Sequence, residues 1–243
     1  MSKPKILFYD IETAPNLSYT WGIYDQNAID VKETWHLLSF AWKYSGDSRV
    51  SCLSLRHFKG NAKNKEKALA KALHKLLQTA DVTVAHNGDT FDYKKAKARF
   101  IYHGLKPTRI VPSVDTRKVA RKYFAFNSNS LDSLCRFLRI GKKIKTPGFD
   151  LWLGCMANKT KSWRLMESYN KKDVELLEKL YNRLLPWMHT HPNMAALEGK
   201  DGCPKCGSKA IERRGTYATN TSIRYKWFCQ DCRGWHTSPK KIR

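Results

Sequence analysis

Residues 5–10 read KILFYD, an apolar run closed by an acid, and the next three residues, IET, add a second acid at Glu12. A short run rich in Ile, Leu, Phe and Tyr reads as a buried strand. Side chains alternate across a strand, so Asp10 and Glu12, two residues apart, point to the same side at its end. Two more acids follow in recognisable settings: Asp92 in HNGDTFD, and Asp173 four residues after Tyr169 in YNKKD. Residues at i and i+4 share a helix face, so Tyr169 and Asp173 project together. The chain is otherwise poor in acid, with 21 Asp plus Glu against 45 Lys plus Arg. Carboxylates aligned in so basic a background suggest a divalent-metal site turned toward a polyanion.

Outward from the first strand, residues 14–34 are irregular and aromatic-rich, with Pro15, Trp21 and Tyr24. Strands are expected over 35–44 and 49–57, with SGDS as the turn between them. A helix over 63–79 carries Leu69, Leu73, Leu76 and Leu77 at helical spacing. A strand over 81–86, a helix over 90–103 and a strand over 108–114 come next. A helical piece spans 130–140, which Asn129 or Ser130 could cap. A basic loop covers 142–149, and a long helix covers 163–188, ended by Pro186 and Pro192. This order predicts an α/β fold: a mixed five-stranded sheet with flanking helices. The composition shifts near 190–200, which divides the chain into residues 1–190 and a small segment, 198–243.

With 243 residues, 42% of them apolar, the chain can bury one good core, or one domain plus a small appendix. The formal charge of +24 points first to nucleic acid and second to an anionic membrane surface. No run of eighteen apolar residues argues for a membrane span, and the N-terminus reads as no secretory signal. The expected setting is therefore cytoplasmic, in a bacterium or a phage-infected cell. Four of the seven cysteines form two Cys-x-x-Cys pairs, Cys203 with Cys206 and Cys229 with Cys232. Two knuckles so spaced make a closed four-thiolate zinc site that stabilises a small segment; a redox dithiol or an iron–sulfur site is the alternative. Arg213, Arg214, Arg224, Lys226, Arg233, Lys240, Lys241 and Arg243 lie on or beside it, interleaved with Tyr217, Tyr225, Trp227, Phe228 and Trp235. Such a surface suits phosphates and stacked bases, although some of these aromatics would form the segment's own core. A protein partner could also bind there.

Phosphodiester hydrolysis needs a nucleophile made from water near neutral pH, neutralised phosphate charge and help for the leaving oxygen. Two hard divalent ions about 3.5–4 Å apart supply all three, and such ions prefer carboxylates and water. Read together, YDIET, HNGDTFD and YNKKD resemble the three motifs of the DEDD superfamily of 3′–5′ exonucleases, in the subclass whose third motif is Tyr-x-x-x-Asp. The likeness is nearest to the proofreading domains of family-B DNA polymerases. It extends through VDTRKVARKYF and SLDSLCRFLRIGKK and covers roughly residues 4–187. The resemblance implies an RNase H-like fold and two Mg²⁺ or Mn²⁺ ions. Asp10 would bridge both metals, Glu12 and Asp173 would bind the nucleophile-side ion, and Asp92 would hold the second. Tyr169 would orient the attacking water. Thr13 and Asn87 match positions that contact the terminal nucleotide in relatives.

Plainer readings stand beside these. Asp92 alone would serve as a helix cap, with Asp89 as a local competitor, and Tyr169 alone as an amphipathic core residue. Asp115 and Asp132 read as caps or structural acids. Phe91 is expected to pack beneath the site. Lys142, Lys143 and Lys145 lie in a loop before the third motif, where a substrate strand could pass. Tyr19, Trp21 and Tyr24 could wedge or stack at a 3′ end. Cys52, Cys135 and Cys155 read as small buried apolar groups. The expectation is a free-standing, metal-dependent 3′–5′ exonuclease with a C-terminal zinc ribbon. It would release nucleoside monophosphates, with single-stranded DNA favoured over RNA and branched DNA a further possibility. Its rivals are a structure-specific endonuclease on the same scaffold and a nucleic-acid-binding accessory protein with little catalysis.

Overall fold

The computed structural model describes residues 3–24 and 27–239. The chain opens with β1 (Ile6–Thr13), the short pair β2 (Leu17–Tyr19) and β3 (Asp30–Glu33), then β4 (Leu37–Tyr44) and β5 (Ser51–Ser54). Next come α1 (Ala62–Leu77), β6 (Val82–Ala85), α2 (Asp92–Tyr102), β7 (Ser113–Asp115) and α3 (Thr116–Tyr123). The body closes with α4 (Leu131–Phe137), α5 (Asp150–Met156), α6 (Thr160–Leu184) and the single turn α7 (Met194–Leu197). A second, smaller sheet follows, built from β8 (Ile211–Ala218), β9 (Ile223–Cys229) and β10 (Trp235–Pro239).

The main sheet has the order β5-β4-β1-β6-β7, so the mixed five-stranded sheet expected from the sequence is present. Its central strand, β1, pairs antiparallel with β4 and parallel with β6. The parallel pairing ends at Phe8 opposite Val84, whereas β1 continues beside β4 to Thr13. Asp10 and Glu12 therefore project from a strand end where the sheet changes direction, the place at which open α/β sheets form crevices.

Alternation along β1 decides which way the acids face. Leu7, Tyr9 and Ile11 enter one apolar cluster with Leu69 and Leu73 of α1 and Phe100 of α2. Phe8 enters another with Leu134 of α4 and Leu177 and Tyr181 of α6. Asp10 and Glu12 share the Phe8 face and so turn toward α6. That helix buries Val174, Leu177, Leu180 and Leu184 along one seam, and buries Asn170 and Asp173 in the same seam. Each buried aliphatic side chain stabilises by roughly 1.5–3 kcal/mol, enough together to offset two buried polar groups.

Several boundaries differ from the sequence expectation. The fourth strand begins at Leu37 instead of residue 35, where its amide donates to Glu66 Oε1. The strand expected over 49–57 stops at Ser54, and the chain turns into a 3-10 turn at Leu55–His57 held by a Ser54–His57 capping box. The strand expected over 108–114 contracts to Ser113–Asp115, after Pro112, which has no amide to give a ladder. The last long helix runs Thr160–Leu184, and α5 forms in a stretch with no assigned element. Part of the irregular 14–34 stretch is the β2–β3 hairpin, on which Tyr19, Trp21 and Tyr24 are exposed. Ser130, of the two possible caps, accepts from the Ser133 amide at 3.3 Å.

The small sheet has the order β10-β9-β8 and seats against the body. Cys206 and Cys232 pack beside the apolar cluster that holds Tyr181 and Met188. The Met194 amide donates to the Pro204 carbonyl at 2.8 Å, and the Lys205 ammonium donates to the Pro186 carbonyl. Lys240, Lys241 and Arg243, read as part of the basic surface, lie outside the described residues. Among the described residues no helix is long and apolar enough to cross a membrane.

Candidate active site

The three motifs meet at the end of β1. Asp10, Glu12 and Asp173 each offer a carboxylate oxygen, and these oxygens lie within 4.8 Å of one another. Asp92 stands one step back. It starts α2, is buried, and its Oδ1 accepts from the Ile11 amide at 3.0 Å, which ties the second motif to the first. Asp89, its competitor, instead pairs with Lys118 at 2.7 Å and accepts from Ser113. The turn leading to Asp92 is tight: Asn87 is left-handed with φ of 69°, and a Cβ on Gly88 would sit 2.4 Å from that of Ala85. Asn tolerates the first condition and only glycine the second.

Asn170, which the motif reading did not single out, and Lys143, expected at the substrate strand, hold the cluster in place. Asn170 is fully buried and donates from Nδ2 to Asp10 Oδ2 at 2.6 Å, while its Oδ1 accepts from Ser39 at 3.1 Å. Lys143 extends its ammonium to Asp173 Oδ2 at 2.6 Å and to the Tyr169 hydroxyl at 3.0 Å. The Lys143 backbone is itself fixed by Asp132, whose Oδ1 accepts from its amide at 2.7 Å. Asp132 thus positions the lysine, and Asp115 caps α3 and accepts from the Asn87 amide. The Lys143 ammonium points into the carboxylates and away from the loop surface; Lys142 and Lys145 are exposed.

Burial and mutual repulsion work against ionisation here. Burial first, and then Asp92, Glu12 and Asp173, raise the Asp10 carboxyl well above its ordinary range. Burial and Asp173 push Glu12 up to about 8, and burial pushes Asp92 up to about 7 despite the Ile11 amide. Burial also raises Asp173, against the lowering pull of Lys143. Asp173 Oδ1 is buried with no hydrogen-bond partner, which for a carboxylate oxygen signals a ligand position. A hard divalent cation fits this donor set: oxygen ligands only, excess negative charge and one free buried lone pair. Asp10, Glu12 and Asp173 would hold it, with Asp92 alongside.

A pH dependence follows for protein with no divalent ion added. The unfolded carboxyls ionise near pH 4, while Glu12 and Asp92 in the fold keep their protons to about pH 8 and pH 7. The native state then binds more protons than the unfolded one, so stability falls as pH rises through that window and levels off above it. Added Mg²⁺ or Mn²⁺ would bind the ionised form. The gain in Tm on adding it is expected to grow from near zero at pH 5 to at least about 5 °C at pH 8. Calorimetry or a thermal melt measures this; a gain independent of pH would show that the carboxyls are already ionised.

Two grooves flank the cluster. One, of 480 Å³, is lined by Asp10, His86, Asn87, Arg117, Ser130 and Lys143. The other, of 620 Å³, carries Thr13, Trp35, Lys95, Phe149 and Trp152. Asn87 and Thr13 therefore line different grooves. Phe91, expected beneath the site, is 37% exposed, with the Lys95 ammonium 5.2 Å from its ring centre.

In the small sheet, Cys203, Cys206, Cys229 and Cys232 offer four sulfurs within 4.8 Å of one another, and none forms a disulfide. Sγ–Sγ separations of 3.6 Å join Cys203 to Cys232 and Cys206 to Cys229. The set fits a soft, tetrahedral ion such as Zn²⁺.

The fold has known counterparts. The family B DNA polymerase of the hyperthermophilic archaeon Pyrobaculum calidifontis matches with a TM-score of 0.55 and 18% identity, over 76% of this chain and 25% of the polymerase. The likeness is one of fold, and this chain spans about a quarter of that protein. No curated protein matches. The RNase_H superfamily model RNase_H_2 matches residues 7–185, from the first residues of β1 to the end of α6, and the chain belongs to that superfamily.

Proposed function

We propose that the chain is a metal-dependent 3′–5′ exonuclease of the DEDD kind with a Tyr-x-x-x-Asp third motif. Residues 1–190 would form the nuclease and 198–243 a zinc ribbon. The convergence of Asp10, Glu12 and Asp173, with a buried and unpartnered oxygen on Asp173, supports this reading above all else. Bound divalent ions would lower the pKa of the attacking water and neutralise the phosphate. The chain's own residues do the rest. Asn170 fixes the Asp10 carboxylate, and Asp92 braces β1 through the Ile11 amide. Burial and Asp173 push the Tyr169 hydroxyl up to about 12, so it stays protonated and orients water by hydrogen bonding instead of acting as a base. Lys143 holds that hydroxyl and balances part of the acid charge. Arg117, Asn87 and Thr13 lie where the strand would meet the two grooves.

Tyr169→Phe removes one hydrogen bond near charged groups, worth about 1.5–3 kcal/mol, so kcat is expected to fall about 10- to 100-fold. Single-turnover kinetics measures it, and an unchanged rate would remove Tyr169 from the mechanism. The function itself is tested by a time course on 5′-labelled single-stranded DNA and RNA with Mg²⁺ or Mn²⁺. A ladder shortening from the 3′ end, faster on DNA, is the expected result. Discrete internal cuts would establish an endonuclease, and binding without cleavage would establish an accessory protein.

A further inference from the structure

A groove of 650 Å³ lies where the ribbon meets the body. It is lined by His189 and His191 from the body and by Lys205, Arg224, Lys226 and His236 from the ribbon, and by no carboxylate. Lys205 is spent on the Pro186 carbonyl. Among the described residues neither Arg224 nor Lys226 pairs with an acid; Arg224 has only a 3.1 Å hydrogen bond to Thr237 Oγ1. Two aromatic faces stand at its edge, Tyr217 at 52% and Trp235 at 47% exposure.

The groove is linked to the carboxylate site through α3. Arg117, at the start of that helix, lines the groove beside Asp10. Lys118, Lys122 and Tyr123, further along it, line a third groove of 240 Å³, which meets the ribbon groove at Met188 and His191. Eight residues of helix span about 12 Å. Two acids line this stretch, and both are already engaged: Asp89 by Lys118 at 2.7 Å, and Asp115 by the amides of α3 and Asn87.

We propose that a single nucleic-acid strand whose end lies at the carboxylates runs along α3 into the groove between body and ribbon, with its phosphates at Arg224 and Lys226 and its bases against Tyr217 and Trp235. Phosphate attraction and base stacking on aromatic faces are the two interactions by which single strands are held without sequence preference. The ribbon then acts on the same strand as the nuclease site, at a distance from the end being cut. This rests on the nuclease reading only for where the strand ends.

The test uses full-length Asp10→Asn protein, so that binding is read without cleavage, and adds Arg224→Gln with Lys226→Gln. The probe is a fluorescent single strand longer than about 16 nucleotides, with a trinucleotide as the short control. The expected result is at least about 10-fold weaker binding of the long strand and an unchanged trinucleotide affinity. The slope of log K against log salt should fall by about 1.4, two contacts at about 0.7 each. Zinc content and Tm should match the parent. An unchanged affinity for the long strand, or an equal loss on the trinucleotide, overturns the proposal. Failure of the nuclease reading would show separately, as absence of cleavage by the unsubstituted protein.

Discussion

Asp10→Asn is expected to lower cleavage by at least about 10³-fold while leaving strand affinity within a few-fold of the parent. Asp10 lies on the central strand of the sheet, faces both Glu12 and Asp173, and is held by Asn170 at 2.6 Å. An amide keeps the volume and the neighbours but removes the charge. Divalent ions supply several kcal/mol to phosphodiester hydrolysis, and each 1.36 kcal/mol is tenfold in rate. Without a divalent ion the buried Asp10 must take up a proton as the chain folds near neutral pH, a cost that Asn does not carry. The same substitution should therefore raise the Tm of protein without added divalent ion, by about 2–4 °C for each kcal/mol gained. Loss of activity with a lower Tm would mean that the substitution damaged the fold instead. Residual cleavage within tenfold of the parent would mean that Asp10 is not central.

Cys229→Ser is expected to abolish zinc binding and unfold the ribbon. Cys229 is fully buried at the end of β9, its sulfur 3.6 Å from that of Cys206. Structural zinc sites contribute about 10–16 kcal/mol of apparent folding free energy, far more than a three-stranded sheet in which Cys229 alone is buried among the described residues gains from its own core. Metal analysis should fall from about one zinc per chain to none, and limited proteolysis should cut within 203–239. The body should survive, because its core is drawn from α1 to α6 and the five-stranded sheet. Its melt would shift modestly, through the loss of the Lys205 and Pro204 contacts. A variant that keeps its zinc would refute the ligand assignment.

Much of this was legible because the features are periodic or local. The alternation in KILFYDIET places both acids on one face, and the interval from Tyr169 to Asp173 places both on one helix face. The two Cys-x-x-Cys knuckles come together as four free sulfurs. What escaped depends on contacts between distant segments. Asn170 sits inside the third motif at a position the motif leaves open; its role exists only because Ser39, 131 residues away, holds its other end. A polar residue in an otherwise apolar helix seam was the available signal. Lys143 read as one of three loop lysines, and what sets it apart is that Asp132 holds its backbone while its ammonium reaches Asp173 and Tyr169. The short α5 has no side-chain cap at its start to announce it. The seating of the ribbon rests on Lys205, a residue that a charge pattern assigns to solvent yet is 3% exposed.

Lys143 also bears on how the protein matures. Its ammonium lies 2.6 Å from Asp173, so the RNase H-like body carries a resident counter-ion among its acids. A chain leaving the ribosome need not await a divalent ion before α6 docks on β1, since part of the repulsion is already answered from within. The small sheet, with four sulfurs drawn together, would depend on a bound metal instead. The two centres should therefore differ in their dependence on supply. Zinc would be needed once, while the chain folds, whereas the ions at the carboxylates could come and go over the life of the finished protein.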